Sequence, residues 1–415
     1  MKVVVIGGGA SGMIAAITAA KENNEVILLE KTESLGNKLK ITGKGRCNLT
    51  FDGDEEDFRK NIVSNHKFMY SSFSSFSNYD VIKYFNNLGV PTKVERGGRV
   101  FPVSDKATDI VNALQKELKK NNVKVILNAN VVKLIIANSK IIGVKLNDGR
   151  IINLDKCIIA TGGKSYSSTG SNGDGYVLLK EVGHSVTDIF PALVPLKSND
   201  AICKNLQGLS LKNISINLID KTNNKYIYSD FGEMMFSHFG VTGPVILSSS
   251  SRLNKVKNVY NKLKNNNIKL VIDLKPALTA EVLDKRIIRD FDKYINKEFK
   301  NALNDLLPQK LIPEVIKLSN IDENIKVHQI TKEMRENLVK VIKNIEVIIN
   351  DFMPIDMAIV TSGGINVKEV NPKTMESKIV KDLYIVGELL DLDAYTGGYN
   401  LQIAFSTGVA AGKNN

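Results

Sequence analysis

Val3-Val4-Val5-Ile6-Gly7-Gly8-Gly9-Ala10-Ser11-Gly12 decides the fold of this chain. Four β-branched residues in a row predict a strand that is buried on both faces. The glycines predict a tight turn, and the Ala-rich run that follows predicts a helix over residues 10–22. A second strand is expected at Glu25–Glu30. Strand, G-x-G-x-x-G, helix and a closing acidic residue together form the β-α-β unit that holds a dinucleotide. Gly7 allows the sharp turn, Gly9 admits a pyrophosphate close to the backbone, and Gly12 lets helix and strand pack. Ala10 and Ser11 open the helix, whose positive end faces the phosphates. Glu30 lies where a carboxylate accepts hydrogen bonds from an adenosine ribose.

The same stretch is part of an uncharged run from Val3 to Ala20, long enough to raise the question of a membrane span. Four interrupting glycines and the split into strand and helix exclude insertion. Over the 415 residues, 56 Lys+Arg against 44 Asp+Glu leave a net charge of +12, with 43% hydrophobic residues. That is a globular composition with enough chain for several domains. Cys47, Cys157 and Cys203 form no C-x-x-C pair, so neither a zinc ribbon nor a disulfide framework is expected, and the chain reads as reduced and cytoplasmic. His66, His184 and His328 have no ligand spacing, and no metal site is expected.

Between Arg252 and Val347 there are 20 Lys+Arg and 13 Asp+Glu, so +7 of the net charge falls there. Lysines spaced three or four apart among apolar residues read first as a solvated face. Nucleic acid, an anionic surface or a phosphorylated substrate are the alternative partners for such a stretch.

Farther along, Ser104 reads as the N-cap of a helix to Lys120. Val123–Leu127, Val131–Ala137 and Ile141–Leu146 read as strands, with Asn147-Asp-Gly149 turning into Ile151–Leu154. Cys157–Ala160 reads as a buried strand ending in Thr161-Gly162-Gly163. Alternation from Leu196 to Leu274 predicts a small barrel or sandwich, and the period is helical from Thr279 to about Asn350. The expected plan is an α/β Rossmann-like domain made of residues 1–190 and 351–415, with a β-barrel-like and helical insert at 191–350.

The C-terminal part narrows the ligand. Lys381–Glu388 reads as a strand ending in Gly387-Glu388. Thr396-Gly-Gly-Tyr-Asn-Leu-Gln402 opens a second helix, whose N-terminus can stabilise charge at the far end of an extended ligand. FAD has use for such a cradle, because its reduced ring carries negative charge; NAD does not. Cys47, beside Lys44 and Arg46, reads as a small buried residue sooner than as a reactive thiol. His238, between Phe236 and Phe239, is a candidate proton donor, as are Tyr395 and Tyr399.

Lys38-Leu-Lys-Ile-Thr-Gly-Lys-Gly-Arg-Cys-Asn48, Gly232-Glu-Met-Met-Phe-Ser-His-Phe-Gly-Val-Thr-Gly-Pro244 and Gly397–Gln402 together resemble the BaiN/YhiN-like flavoproteins, also called the aminoacetone-oxidase family. The N-terminal motif with Glu30-Lys31 is similar to the glutathione-reductase-like class of FAD domains. The resemblance spans essentially the whole chain. One departure is Lys44, where the family often has Gly.

The resemblance implies that Lys31 joins Glu30 at the ribose, and that Lys38, Thr42, Gly43, Arg46, Cys47 and Asn48 line the stretch from pyrophosphate to flavin. It also implies backbone contacts from Val132 to the adenine, closure by Ala160, Thr161 and Gly162, and a ribityl contact from Glu388 beside Gly387. Gly398, Asn400, Leu401 and Gln402 would face the ring. The implied activity is FAD-dependent oxidoreduction of a small molecule, extending to reduction of an activated C=C bond with NAD(P)H docking transiently. A flavoprotein modifying nucleic acid such as tRNA and a non-enzymatic flavin-binding regulator are the alternatives.

Overall fold

The computed structural model describes residues 1–414. It divides into two compact units, Leu193–Met353 and the remainder of the chain on either side.

In the first unit, five strands form a parallel sheet in the order Leu383–Ile385, Lys156–Ile159, Lys2–Ile6, Glu25–Leu29, Lys124–Ile126. Val3, Val4 and Val5 are completely buried, as the unbroken apolar run requires of a central parallel strand. The strand Leu383–Ile385 joins this sheet from the far end of the chain. The helix Tyr399–Lys413 packs on the first helix, Ala10–Lys21, through glycine. A Cβ on Gly408 would lie 2.6 Å from Ser11 O, and one on Gly412 would lie 2.8 Å from Ala15 O. Only a glycine-lined face lets two helices approach this closely.

The second unit carries a seven-stranded antiparallel sheet whose edge strands are Ile345–Ile349 and Asp351–Phe352. These two edges are consecutive in the chain, joined by Asn350 alone, so the sheet curls until its ends meet. That is the barrel-like character expected from the alternating pattern. The helices Ala280–Lys293 and Lys332–Lys343 are each capped by a threonine, Thr279 and Thr331, that accepts from the backbone of the first turn.

Two sequence expectations give way. Ser104 does not cap its helix, which runs Ala107–Lys120 with Lys106 at the N-cap. Asp105 intervenes in a left-handed conformation (φ 56°), held there by ion pairs to Arg46 and Lys93. The helical period does not reach Asn350 either. Ile345–Ile349 is a strand, its alternate residues Ile345, Val347 and Ile349 fully buried. Among the described residues no helix is long and apolar enough to cross a membrane.

His184 braces the first unit beside its edge strand, where Ser377 N donates to Leu383 O (2.7 Å). Its ring is fully buried, with Nδ1 3.0 Å from Glu369 Oε2 and Nε2 2.8 Å from Ser377 Oγ. The order Ser-His-Glu copies a nucleophilic triad, but Ser377 Oγ already accepts from Ile379 N (3.0 Å) and Val380 N (2.9 Å). The hydroxyl proton therefore goes to Nε2, and the imidazole is neutral, donating through Nδ1 to Glu369. Burial holds the His184 pKa below its ordinary value of 6.5. As the pH falls through that value the unfolded chain takes up a proton that the folded chain refuses, so stability present above it is lost below it. The Tm is expected to fall between about pH 7 and about pH 5, and less steeply in His184→Gln. Equal slopes in the two proteins would show that His184 does not carry the effect.

Candidate functional site

The three glycines of the first turn have separate reasons to be glycine. Gly7 takes φ 104°, and a Cβ there would meet Ala160 O at 2.5 Å. A Cβ on Gly12 would lie 1.8 Å from Gly7 O, which fixes the close helix–strand packing. Gly9 differs from both. Its φ of −79° suits any residue, and nothing lies within 4 Å of a Cβ built on it. The fold has no use for glycine at position 9. A phosphate approaching the first N–H groups of the helix Ala10–Lys21 does. This open cradle fits the pyrophosphate of a dinucleotide.

Glu30 is fixed at the end of its strand by Gly8 N (2.7 Å), Thr32 N (2.9 Å) and Thr32 Oγ1 (2.9 Å). Its carboxylate is thereby aimed beside the glycine turn. Lys31 Nζ, in the same neighbourhood, donates to Asn172 Oδ1 (2.5 Å) and Asp174 Oδ2 (2.7 Å). Ala160 N donates to Ile6 O, which brings the Ala160–Gly162 turn next to the first. Thr161 Oγ1 faces Gly175, so backbone is what this turn presents. Val132 has an exposed side chain on the strand Val131–Ala137.

The N- and C-terminal segments meet at Glu388. Lys38 Nζ lies 3.0 Å from Glu388 Oε1 and 2.7 Å from Oε2, and donates to Ser165 Oγ (2.7 Å). Thr361 N (2.9 Å) and Ser165 Oγ (3.2 Å) complete the set on Oε1. Lys38 and Glu388 are both only about one-fifth exposed, so the pair is screened little by water. One residue earlier, Gly387 lies against the phosphate turn, where a Cβ would be 2.6 Å from Ser11 Oγ.

The loop between Lys38 and Asn48 holds an unusual backbone. Thr42 bonds Leu39 O, and Gly43, Lys44, Gly45 and Cys47 all have positive φ. Lys44 therefore occupies a left-handed position that glycine would take without strain. Arg46 does not point along the cradle with its side chain. Its guanidinium bonds Asp105 and Glu95 and lies 4.2 Å over the Phe101 ring, clamping the loop. Cys47 is fully buried, and desolvation pushes its thiol up to about 12. It is an inert core residue at neutral pH.

With its amide oriented to satisfy both ends, Asn48 accepts from Gly398 N (3.0 Å) and donates to Thr50 O (3.1 Å). Asn400 braces Ala394 and Tyr395 through their backbones. Gln402 is fully buried between Thr50 Oγ1 (2.5 Å), Phe76 O (3.0 Å) and Ser406 Oγ (2.9 Å). These side chains fix the start of the helix Tyr399–Lys413. What they leave for a ligand is the helix N-terminal backbone from Tyr399 to the half-buried Leu401. Tyr399 packs tilted against Phe51, ring centroids 4.8 Å apart, and burial raises its hydroxyl pKa, which makes it a poor acid at neutral pH. His238 belongs to the second unit, exposed on the turn between Lys225–Ser237 and Gly240–Thr242, its ring edge-on to Phe239. Ser165, Thr361 and the Glu95–Asp105 pair escaped sequence reasoning, because no spacing links them to Lys38, Glu388 or Arg46.

The sheet, the phosphate turn and the acidic strand end define a dinucleotide-binding Rossmann-type protein. Residues 1–414 match the family described as HI0933-like protein Rossmann domain. The chain belongs to that family, as the motifs at Lys38–Asn48 and Gly232–Pro244 implied, and it is an FAD-dependent oxidoreductase. It is 32% identical to a 3-dehydro-bile acid delta(4,6)-reductase of Clostridium scindens over 99% of this chain and 98% of that one. It is 27% identical to a ribosomal RNA dihydrouridine synthase of Escherichia coli K12, over 99% and 97%. A 3-ketosteroid delta1-dehydrogenase from Sterolibacterium denitrificans shares the fold, with a TM-score of 0.53 at 12% identity over 99% and 98% of the two chains.

Gly9→Val is expected to leave the apoprotein Tm unchanged, since its side chain meets open space, and to remove bound flavin from the purified protein. Normal yellow occupancy in that variant would show that the cradle is misassigned. Lys38→Met strands the Glu388 carboxylate and is expected to cost about 2 kcal/mol in denaturant unfolding. It should also lower flavin affinity, with Lys38→Arg restoring part of both; a silent Lys38→Met would mean the pair joins nothing of consequence.

Proposed function

We propose that this chain is a reductase of C=C bonds conjugated to a carbonyl, with FAD seated along the Gly9–Glu388–Gly398 line. One observation carries the reading. Two full-length relatives act, by their names, on very different molecules, yet the names describe the same bond change. Reducing a 3-oxo steroid with Δ4 or Δ6 unsaturation and reducing uracil to dihydrouracil each add hydrogen across an alkene polarised by a carbonyl.

In this reading the backbone around Gly9 holds the pyrophosphate, Glu30 the adenosine ribose, Val132 the adenine through its main chain, and Glu388 the ribityl chain. The N-terminus of the helix Tyr399–Lys413 offers positive potential to the ring end. Bound FAD supplies hydride transfer, and NAD(P)H is the two-electron donor of the proposal. The substrate gains that hydride at the carbon β to its carbonyl and a proton at the α carbon. The exposed His238 is the proposed source of the proton.

A second reading, in which the alkene is the uracil ring of an RNA, is favoured by the charge of the second unit. Leu193–Met353 holds 25 Lys+Arg against 18 Asp+Glu, more than half of the net charge in well under half of the chain.

Anaerobic titration distinguishes the outcomes. NADH or NADPH is expected to bleach the flavin, and a conjugated enone or a uridine-containing RNA to restore its colour with formation of the saturated product. A flavin that is bleached and then reoxidised only by oxygen or quinones would overturn the reductase reading.

A further inference from the structure

The second unit gathers lysines that are far apart in sequence onto one surface. From Met234 to Ile272 there is no Asp or Glu, while Arg252, Lys255, Lys257, Lys262, Lys264 and Lys269 all fall within it. The hairpin between Ser210–Asp220 and Lys225–Ser237 adds Lys221 and Lys225. Hydrogen bonds bring the two segments together. Lys221 N donates to Asn267 O (2.8 Å), and Lys221 Nζ donates to Asn266 O (3.1 Å). Asp220 pairs with Ile268 across the sheet.

The acidic group of the hairpin is already spent. Asp220 is buried and bonded by Lys262, which also reaches Thr222 Oγ1 at 3.2 Å. Lys269 is likewise committed, to Glu346 at 2.6 Å. Lys221, Lys225, Lys255, Lys257 and Lys264 stand exposed. Among them are two tyrosines with half or more of their surface in solvent, Tyr226 at 63% and Tyr260 at 50%. One carboxylate does reach this surface: Asp351, 3.7 Å from Lys197, faces Tyr260, whose hydroxyl pKa is raised by burial and by that charge.

We infer that the Lys221–Tyr226 hairpin and the Lys255–Asn267 segment form an RNA-docking surface. It would hold the phosphate backbone on its lysines and unstacked bases on Tyr226 and Tyr260. A solvated face needs neither the exclusion of acid nor exposed aromatics, whereas a single-stranded or looped RNA uses both. Exposed Asn258, Asn261 and Asn265 add neutral donors between the cations. An apolar partner would find little here, since the exposed groups between the tyrosines are lysine and asparagine.

This inference rests on the RNA reading under Proposed function, and one experiment separates the two. The probe is a fluorescently labelled uridine-containing RNA hairpin of about 20 nucleotides, titrated with the flavin-loaded protein over a series of salt concentrations. The comparison is with the fourfold variant Lys221→Gln, Lys225→Gln, Lys257→Gln, Lys264→Gln. Wild type is expected to bind with a steep salt dependence. The variant is expected to bind at least about tenfold more weakly at about 0.1 M salt, its log–log salt slope shallower by about 3, with flavin occupancy and Tm unchanged. Tyr226→Ala and Tyr260→Ala should weaken binding without changing that slope. Wild type that ignores the RNA at low salt overturns the RNA reading and the surface with it. Wild type that binds while the fourfold variant binds equally well overturns the surface alone. Retention on phosphatidylglycerol vesicles in preference to the RNA assigns these lysines to an anionic membrane and overturns the inference.

Discussion

The parallel pairing of Lys2–Ile6 with Lys156–Ile159, and of that strand with Leu383–Ile385, is the constraint on which the first unit rests. It sets Gly7, Ala160 and Val386 at the ends of three neighbouring strands. The turns that follow those strands then converge at one edge of the sheet, where helix N-termini and loop backbone have unmet hydrogen-bonding capacity. The glycine face of the helix Tyr399–Lys413 against Ala10–Lys21 locks the same arrangement from one layer above. Lys38 and Glu388 add the electrostatic tie across the edge.

The division of labour within this edge is informative. Several polar side chains in the motifs are occupied with holding backbone in place: Asn400 on Ala394, Gln402 on Thr50 and Phe76, Arg46 on Glu95 and Asp105. A cofactor whose binding relies on phosphate and ribityl recognition by main-chain groups needs such bracing more than it needs many side-chain contacts. The left-handed residues Gly43, Lys44, Gly45 and Cys47 are held in this way by the Arg46 clamp, which tolerates a lysine at position 44 where glycine would be unstrained.

Much of this was legible in the amino-acid sequence, and the reasons are local. The strand Lys2–Ile6 and the helix beginning at Ala10 follow from a β-branched run, glycine punctuation and an Ala-rich run that point the same way. The FAD-binding fold follows from the second glycine cluster at Gly397-Gly398. What stayed hidden is long-range. Nothing near Ser104 announces that Asp105 is drawn into a left-handed turn by Arg46, 59 residues earlier. The strand Ile345–Ile349 hides behind a helix because a short apolar run reads alike in both periods until its sheet partner, Ile268–Asp273, is known. The pairing of Lys38 with Glu388 spans 350 residues and carries no periodic signature at all.

That separation has a consequence for how the protein is made. The sheet's fifth strand and the helix packed on Ala10–Lys21 are made long after the β-α-β unit they complete. Until they arrive, the early β-α-β unit exposes the helix face that Gly408 and Gly412 will cover, and Lys38 has no counter-charge. Secure seating of the flavin therefore has to wait until those distant elements have joined the early unit.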